Sequence, residues 1–121
     1  MKRVNMTGID IVSIERVRKA CRRPGILERL FTENELAYAF SRRDPFKRLA
    51  GRFAAKEAFL KALGTGLSRG IRWKDVEIVK DLAGRPLVKA VFAAGKILGK
   101  RIPHASIAYA KEYAIATVKI E

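Results

Sequence analysis

DPFKRLAGRFAAKEAFLKALGTG, residues 44–66, is the stretch on which the reading of this chain turns. Asp44 followed by Pro45 is a helix start with proline at the first helical position. The pattern predicts the longest helix of the chain over Phe46 to Leu63, stopped by Gly64 and Gly66. Upstream the signals stay helical. Thr32 and Glu35 have capping-box spacing, which predicts a helix over Glu33 to Phe40. A short turn at Ile26 to Leu30 precedes it. Ser13 caps an earlier helix with Glu15 in its first turn, and Ile14, Val17 and Cys21 form one apolar stripe on it. Pro24 and Gly25 end that helix. Met6 to Val12 reads as a strand.

Downstream the period changes from helical to alternating. Asp75 to Val79 reads as a strand, Asp81 to Arg85 as a turn and Pro86 to Ala90 as a second strand. Val91 to Leu98 is a short helix ending at Gly99. Ala105 to Tyr109 and Tyr113 to Ile120 alternate as strands about a tight turn near Lys111 and Glu112. The fold class is α+β, a small antiparallel sheet packed with helices. There is no internal repeat, low-complexity tract or linker, so residues 1–121 are expected to form a single domain.

Composition narrows the function classes. Lys and Arg number 26 against 12 Asp and Glu, a formal net charge of +14. Such a field attracts polyanions: nucleic acid, acidic membranes, phosphorylated metabolites or acidic proteins. The one cysteine, Cys21, cannot form an internal disulfide, which suits a reducing cytoplasm. No apolar run approaches the roughly 18 residues of a membrane span, and Asp10 interrupts the short N-terminal stretch, which is not a signal peptide. A soluble, cytoplasmic protein with no membrane partner is expected.

Two carboxylates sit in apolar settings. Asp10 lies within Gly8-Ile9-Asp10-Ile11-Val12, where aspartate is out of place and an unpartnered charge is costly. It is either a strand-end residue that caps a helix or meets an arginine, or a functional group. Glu57 has Phe53, Ala54, Leu60 and Lys61 as its helical neighbours; it either pairs with Lys61 on a solvated edge or serves a site. Together the two can hold a hard divalent cation such as Mg2+, which takes one or two carboxylates and completes its shell with waters and phosphate oxygens. Arg52, Lys56 and Lys61 surround Glu57 with the positive charge a polyphosphate needs. Gly64 and Gly66 either let the backbone approach a ligand or simply cap the helix.

The residues Phe53-Ala54-Ala55-Lys56-Glu57-Ala58, continuing to Lys61-Ala62-Leu63-Gly64-Thr65-Gly66, resemble the signature of the holo-(acyl-carrier-protein) synthases, the small trimeric phosphopantetheinyl transferases. Gly8-Ile9-Asp10-Ile11 resembles that family's N-terminal motif. Trp73-Lys74-Asp75-Val76-Glu77-Ile78, with Asp81, Gly84 and Pro86, resembles its middle segment, and His104-Ala105-Ser106-Ile107 with Lys111-Glu112-Tyr113-Ala114 its last strands. The similarity covers nearly the whole chain in order.

The resemblance implies a trimer with active sites between subunits. It also implies a reaction in fatty acid biosynthesis: coenzyme A plus apo acyl carrier protein gives holo carrier plus adenosine 3′,5′-bisphosphate. A serine hydroxyl attacks the β-phosphorus in line. The positions matching Asp10 and Glu57 bind magnesium and the position matching Lys61 assists catalysis. Either Asp10 or a metal-bound water accepts the serine proton. Arg52, Lys56, Lys61, Gly64, Gly66, His104 and Tyr109 are the candidates for holding coenzyme A. One departure stands out: where the family often has a second histidine and then a small hydroxyl residue, this chain has Tyr109 and Ala110, leaving His104 as its only histidine. The resemblance also implies an acidic carrier, so Arg16, Lys19 and Arg23, at i, i+3 and i+7, are read as its docking face. A nucleic-acid partner is not expected: that class would leave the two carboxylates without a purpose, and no aromatic platform for single strands is visible.

Overall fold

The computed structural model describes residues 6–121. Strand β1 (Met6–Ser13) leads directly into helix α1 (Ile14–Ala20), because Ser13 accepts a hydrogen bond from the Arg16 amide with its side chain. Ile14, Val17 and Cys21 are buried along one stripe. Helices α2 (Ile26–Leu30) and α3 (Glu33–Phe40) follow, and the capping box of Thr32 and Glu35 is formed. Helix α4 (Pro45–Leu63) runs through the centre, opened by Asp44, whose carboxylate accepts from the Lys47 amide, and closed at Gly64 with φ of 82°.

Strands β2 (Val76–Lys80) and β3 (Pro86–Ala90), helix α5 (Phe92–Leu98), and strands β4 (Pro103–Ala110) and β5 (Tyr113–Ile120) complete the described chain. All strand pairs are antiparallel. The expectation of one sheet needs correction: β1, β5 and β4 form a three-stranded sheet, while β2 and β3 form a separate two-stranded one. The chain leaves β3 at Val91 for α5, so β3 never hydrogen-bonds alongside β4. Asp75 also departs from expectation. It ends a single 3-10 turn, Trp73–Asp75, where its buried carboxylate accepts from the Arg72 amide at 3.0 Å and from the Arg72 guanidinium. A side chain that bonds the local backbone in this way competes with strand pairing.

Two apolar clusters flank α4. One joins Ala55, Phe59 and Leu63 to Ile78 and Val118; the other joins Leu49 and Ala50 to Ile14, Val17 and Phe31. Between them lies a buried ion pair. Lys56 Nζ stands 2.6 Å from Glu35 Oε1, with both side chains fully enclosed. The ammonium also donates to the Leu30 carbonyl at 2.8 Å and the Trp73 carbonyl at 3.3 Å, and Glu35 accepts from the Ile78 amide at 2.9 Å. A desolvated charge pair holds only when its remaining hydrogen-bonding capacity is met, as it is here.

The sheet meets α4 through small residues. Gly8 in β1 packs on the turn holding Ala58 and Ala62 so closely that a Cβ there would overlap the Ala58 carbonyl oxygen and lie 2.7 Å from the Ala62 amide nitrogen. Both obstacles are helix backbone and cannot rotate aside. Gly8→Ala should therefore lower stability by about 1–3 kcal/mol or more, read by urea unfolding, through overpacking against a rigid surface.

Candidate active site

Alternation along β1 turns Ile9 and Ile11 outward, both exposed, and leaves Gly8 buried against α4. Asp10 shares the face of Gly8, and its side chain is only 15% exposed. Across from it, α4 presents Glu57 and, one turn later, Lys61. Lys61 Nζ donates to Asp10 Oδ1 at 2.9 Å and to the Ile9 carbonyl at 3.0 Å. Lys61 thus bonds across to the strand rather than along its own helix to Glu57. The hydrogen bond to Asp10 holds the Lys61 ammonium above its ordinary pKa; desolvation opposes it, and the charges of Asp10 and then Glu57 add to the upward shift.

Glu57 is left without a cation of its own among the described ion pairs. Burial first, then the nearby Asp10 carboxylate, push its pKa up, and Lys61 only partly offsets them. Two partly shielded carboxylates that repel one another fit a divalent cation, which would satisfy both. The described residues hold no group of three or more His, Cys, Asp or Glu side chains, so most of the coordination shell would come from water or substrate oxygens, the pattern magnesium prefers. Asp10 and Glu57 line a cleft of about 380 Å³ together with Phe53, Leu30, Val17 and Arg16. Mostly apolar walls that include two carboxylates suit a partly aliphatic chain that carries a metal-bound anion.

A second cavity, about 340 Å³, opens on another flank of α4. Tyr38, Lys47, Arg48, Arg52, Lys80 and Tyr109 line it, with no carboxylate among its walls. Arg52 is 4% exposed, and its Nε has no hydrogen-bond partner among the described residues. Burial lowers the Arg52 pKa, opposed chiefly by Tyr38 and Tyr109. The Tyr109 hydroxyl is sunk beside Gly51, where an added Cβ would overlap it, and this burial pushes its pKa up despite Arg52. Lys47 Nζ lies 5.1 Å from the centre of the Tyr109 ring. Cations gathered without a carboxylate suit an anion.

The structure redistributes the expected residues. Asp10, Glu57 and Lys61 converge, and Arg52 and Tyr109 converge elsewhere. Lys56 does not join either group: it is fully buried on Glu35, so its assignment to a phosphate is corrected. Gly64 and Gly66 follow α4 with open space beside their Cα atoms and line neither cavity. His104 is exposed on β4, 3.9 Å from Glu121, away from both cavities. Arg16 lines the cleft and Lys19 is exposed beside it on α1, but Arg23 lies past the helix end, in the turn where its amide bonds the Ala20 carbonyl. The reading over i, i+3 and i+7 fails at Arg23 because the helix stops at Ala20. Sequence reasoning passed over Tyr38, Lys47, Arg48 and Lys80. Arg48 and Arg52, four apart on α4, were a detectable signal; Lys80 and Tyr38 reach the cavity only through the tertiary fold.

The sequence model of the 4′-phosphopantetheinyl transferase superfamily matches residues 6–118. The chain belongs to this superfamily. Among curated superfamily relatives, holo-[acyl-carrier-protein] synthases of Exiguobacterium sp. and Protochlamydia amoebophila are 42% and 45% identical. The first alignment covers 94% of this chain and 89% of the relative, the second 90% and 91%. A holo-(acyl-carrier-protein) synthase from Bacillus anthracis, solved with CoA (3′,5′-ADP), superposes with a TM-score of 0.82 at 36% identity, covering 95% of this chain and 94% of that one. The enzyme from Helicobacter pylori, in complex with coenzyme A, gives 0.84 at 32% identity, covering 95% and 99%.

For this superfamily member the electrostatics of Glu57 give a test independent of activity. A carboxylate with a raised folded pKa makes stability fall as pH rises from the ordinary glutamate value through the folded one. Glu57→Gln should thus melt at or above the wild-type temperature at pH 7–8, with the gap closing as pH falls. Added Mg2+ should raise the melting temperature of the wild type and not of the variant, read by differential scanning fluorimetry.

Proposed function

We propose that this chain transfers the 4′-phosphopantetheine arm of coenzyme A to a serine of apo acyl carrier protein, in the cytoplasm, as a step of fatty acid biosynthesis. The observation that carries the reading is the convergence of Asp10, Glu57 and Lys61, the two carboxylates lining a mostly apolar cleft. It is supported by the superposition on synthases solved with coenzyme A.

In the reaction the serine oxygen bonds to the β-phosphorus, the bridging phosphoryl oxygen leaves with adenosine 3′,5′-bisphosphate, and the serine proton is released. Phosphoryl transfer of this kind depends on positioning and charge neutralisation. Asp10 and Glu57 would hold Mg2+, whose contribution when bound is to neutralise the diphosphate. Lys61 fixes the Asp10 carboxylate and brings a cation beside it, close to where phosphate charge develops. Phe53, Leu30 and Val17 give the pantetheine arm apolar walls. Arg52 and Tyr109, in the second cavity, take the nucleotide end with its 3′-phosphate.

The two cavities lie on different flanks of α4, which suits a trimer in which one subunit completes the site of its neighbour. Exposed Ile9 and Ile11 on the outer face of β1 offer apolar surface for that assembly. Arg16 at the cleft and Lys19 beside it would receive the acidic carrier.

Radiolabelled coenzyme A should transfer its arm to an apo carrier with Mg2+ and not with a chelator. Asp10→Ala should cut that rate by at least about a hundredfold, the scale of losing a central electrostatic contact, with the fold intact by circular dichroism. Near-normal turnover in this variant would remove the two-carboxylate site. Reversing Arg16 and Lys19 to Glu should raise KM for the carrier about five- to tenfold, with KM for coenzyme A nearly unchanged. Equal effects on both substrates would place α1 in the coenzyme site instead.

A further inference from the structure

Tyr38, on α3, is the hub of the second cavity. The Arg52 guanidinium carbon sits 4.1 Å from the centre of its ring, Lys80 Nζ 4.9 Å and the Arg42 guanidinium carbon 5.5 Å. These cations come from α4, from the end of β2 and from the turn after α3, so one ring ties three parts of the chain together. Burial raises the pKa of the Tyr38 hydroxyl, but hydrogen bonding to Lys80 and Arg48 and the charge of Arg52 outweigh it, and the net shift is downward. Like charges in such proximity would spread into solvent if nothing held them. A carboxylate in the cavity would hold them but would then repel an incoming anion. An aromatic ring attracts cations through its quadrupole and carries no net charge, so the cations stay gathered and their positive charge remains available.

We propose that Tyr38 is a positioning residue that gathers Arg52 and Lys80 into a preformed cradle for a phosphomonoester, and so selects coenzyme A over 3′-dephospho-coenzyme A. The inference rests on the reading above that this cavity takes the nucleotide end. A phosphomonoester carries about −1.5 to −2 charge near neutral pH and three acceptor oxygens. The unpartnered Nε of buried Arg52 has a hydrogen bond to give. Cations that are already assembled lose less conformational freedom on binding than free surface lysines and arginines do, so the cradle adds to affinity where the phosphate is present and to little else.

The test is steady-state kinetics with coenzyme A and with 3′-dephospho-coenzyme A, using wild type, Tyr38→Phe, Tyr38→Leu, Tyr38→Met and Arg52→Ala. Tyr38→Leu and Tyr38→Met, two ringless variants in case one fails to fold, should raise KM for coenzyme A about tenfold, the sum of a few cation–π contacts. KM for the dephospho substrate and kcat for both should stay within about twofold. Tyr38→Phe, which keeps the ring, should hold the KM ratio within about threefold of wild type. Ringless variants that raise both KM values equally, or that leave the ratio unchanged, overturn the proposal. If Arg52→Ala loses the discrimination while the ringless variants keep it, Tyr38 alone is wrong and the nucleotide reading stands. If Arg52→Ala also discriminates like wild type, the cavity does not receive the phosphate and both ideas fall.

Discussion

The contact of Gly8 with the backbone of α4 at Ala58 and Ala62 governs where everything else lies. Any side chain at residue 8 would lift β1 from the helix. Two residues on, Asp10 shares the inward face because strand side chains alternate, and the closeness won at Gly8 brings its carboxylate within 2.9 Å of Lys61. β5 follows β1 in register, Gly8 opposite Val118 and Asp10 opposite Ala116, and small Ala114 and Ala116 keep that strand low on the helix as well. The site is therefore a consequence of close packing first and of charge second.

Helix α4 divides the chemistry. Residues 52 and 57 are five apart, which rotates them by about 140° around the helix axis. One face carries Phe53, Glu57 and Lys61 to the acidic cleft; another carries Arg48 and Arg52 to the basic cavity. Lys56 points to neither. Its pair with Glu35 fastens α4 to α3, to the end of α2 at Leu30 and to β2 at Ile78, so the walls of both cavities are tied to one buried joint. Phe53, which lines the cleft, is supported from behind by Trp73 at 5.0 Å between ring centres.

The two cavities are electrostatic opposites, and each is incomplete alone. The cleft has carboxylates that repel one another, with Glu57 only partly offset by Lys61; the second cavity gathers cations with no carboxylate in its walls. Under the proposed function, a ligand carrying a metal-bound diphosphate and a separate phosphomonoester would satisfy both. Preorganised charge of this kind is bought with local instability, expressed here in the upward pKa of Glu57 and in the unpartnered Arg52 nitrogen.

The sequence by itself determined the elements and the main actors. Caps at Ser13, Thr32 and Asp44 and the glycine at 64 mark helix ends through local hydrogen bonding, so α3, α4, β3 and β5 were legible within a residue or two. Asp10 and Glu57 stood out because ionised groups are costly in apolar settings. Only the tertiary structure decided which charges serve the site. Lys56 and Lys61 look alike in sequence, both lysines within one turn of Glu57, yet one is sealed against Glu35 and the other reaches across to Asp10. Tyr38 and Lys80, 42 positions apart by their numbers, become neighbours at 4.9 Å. The division of the strands into two sheets was likewise invisible. Local sequence sets dihedral angles and caps over a few residues; the partner of a charge depends on which distant backbone the fold brings beside it, and no local pattern encodes that.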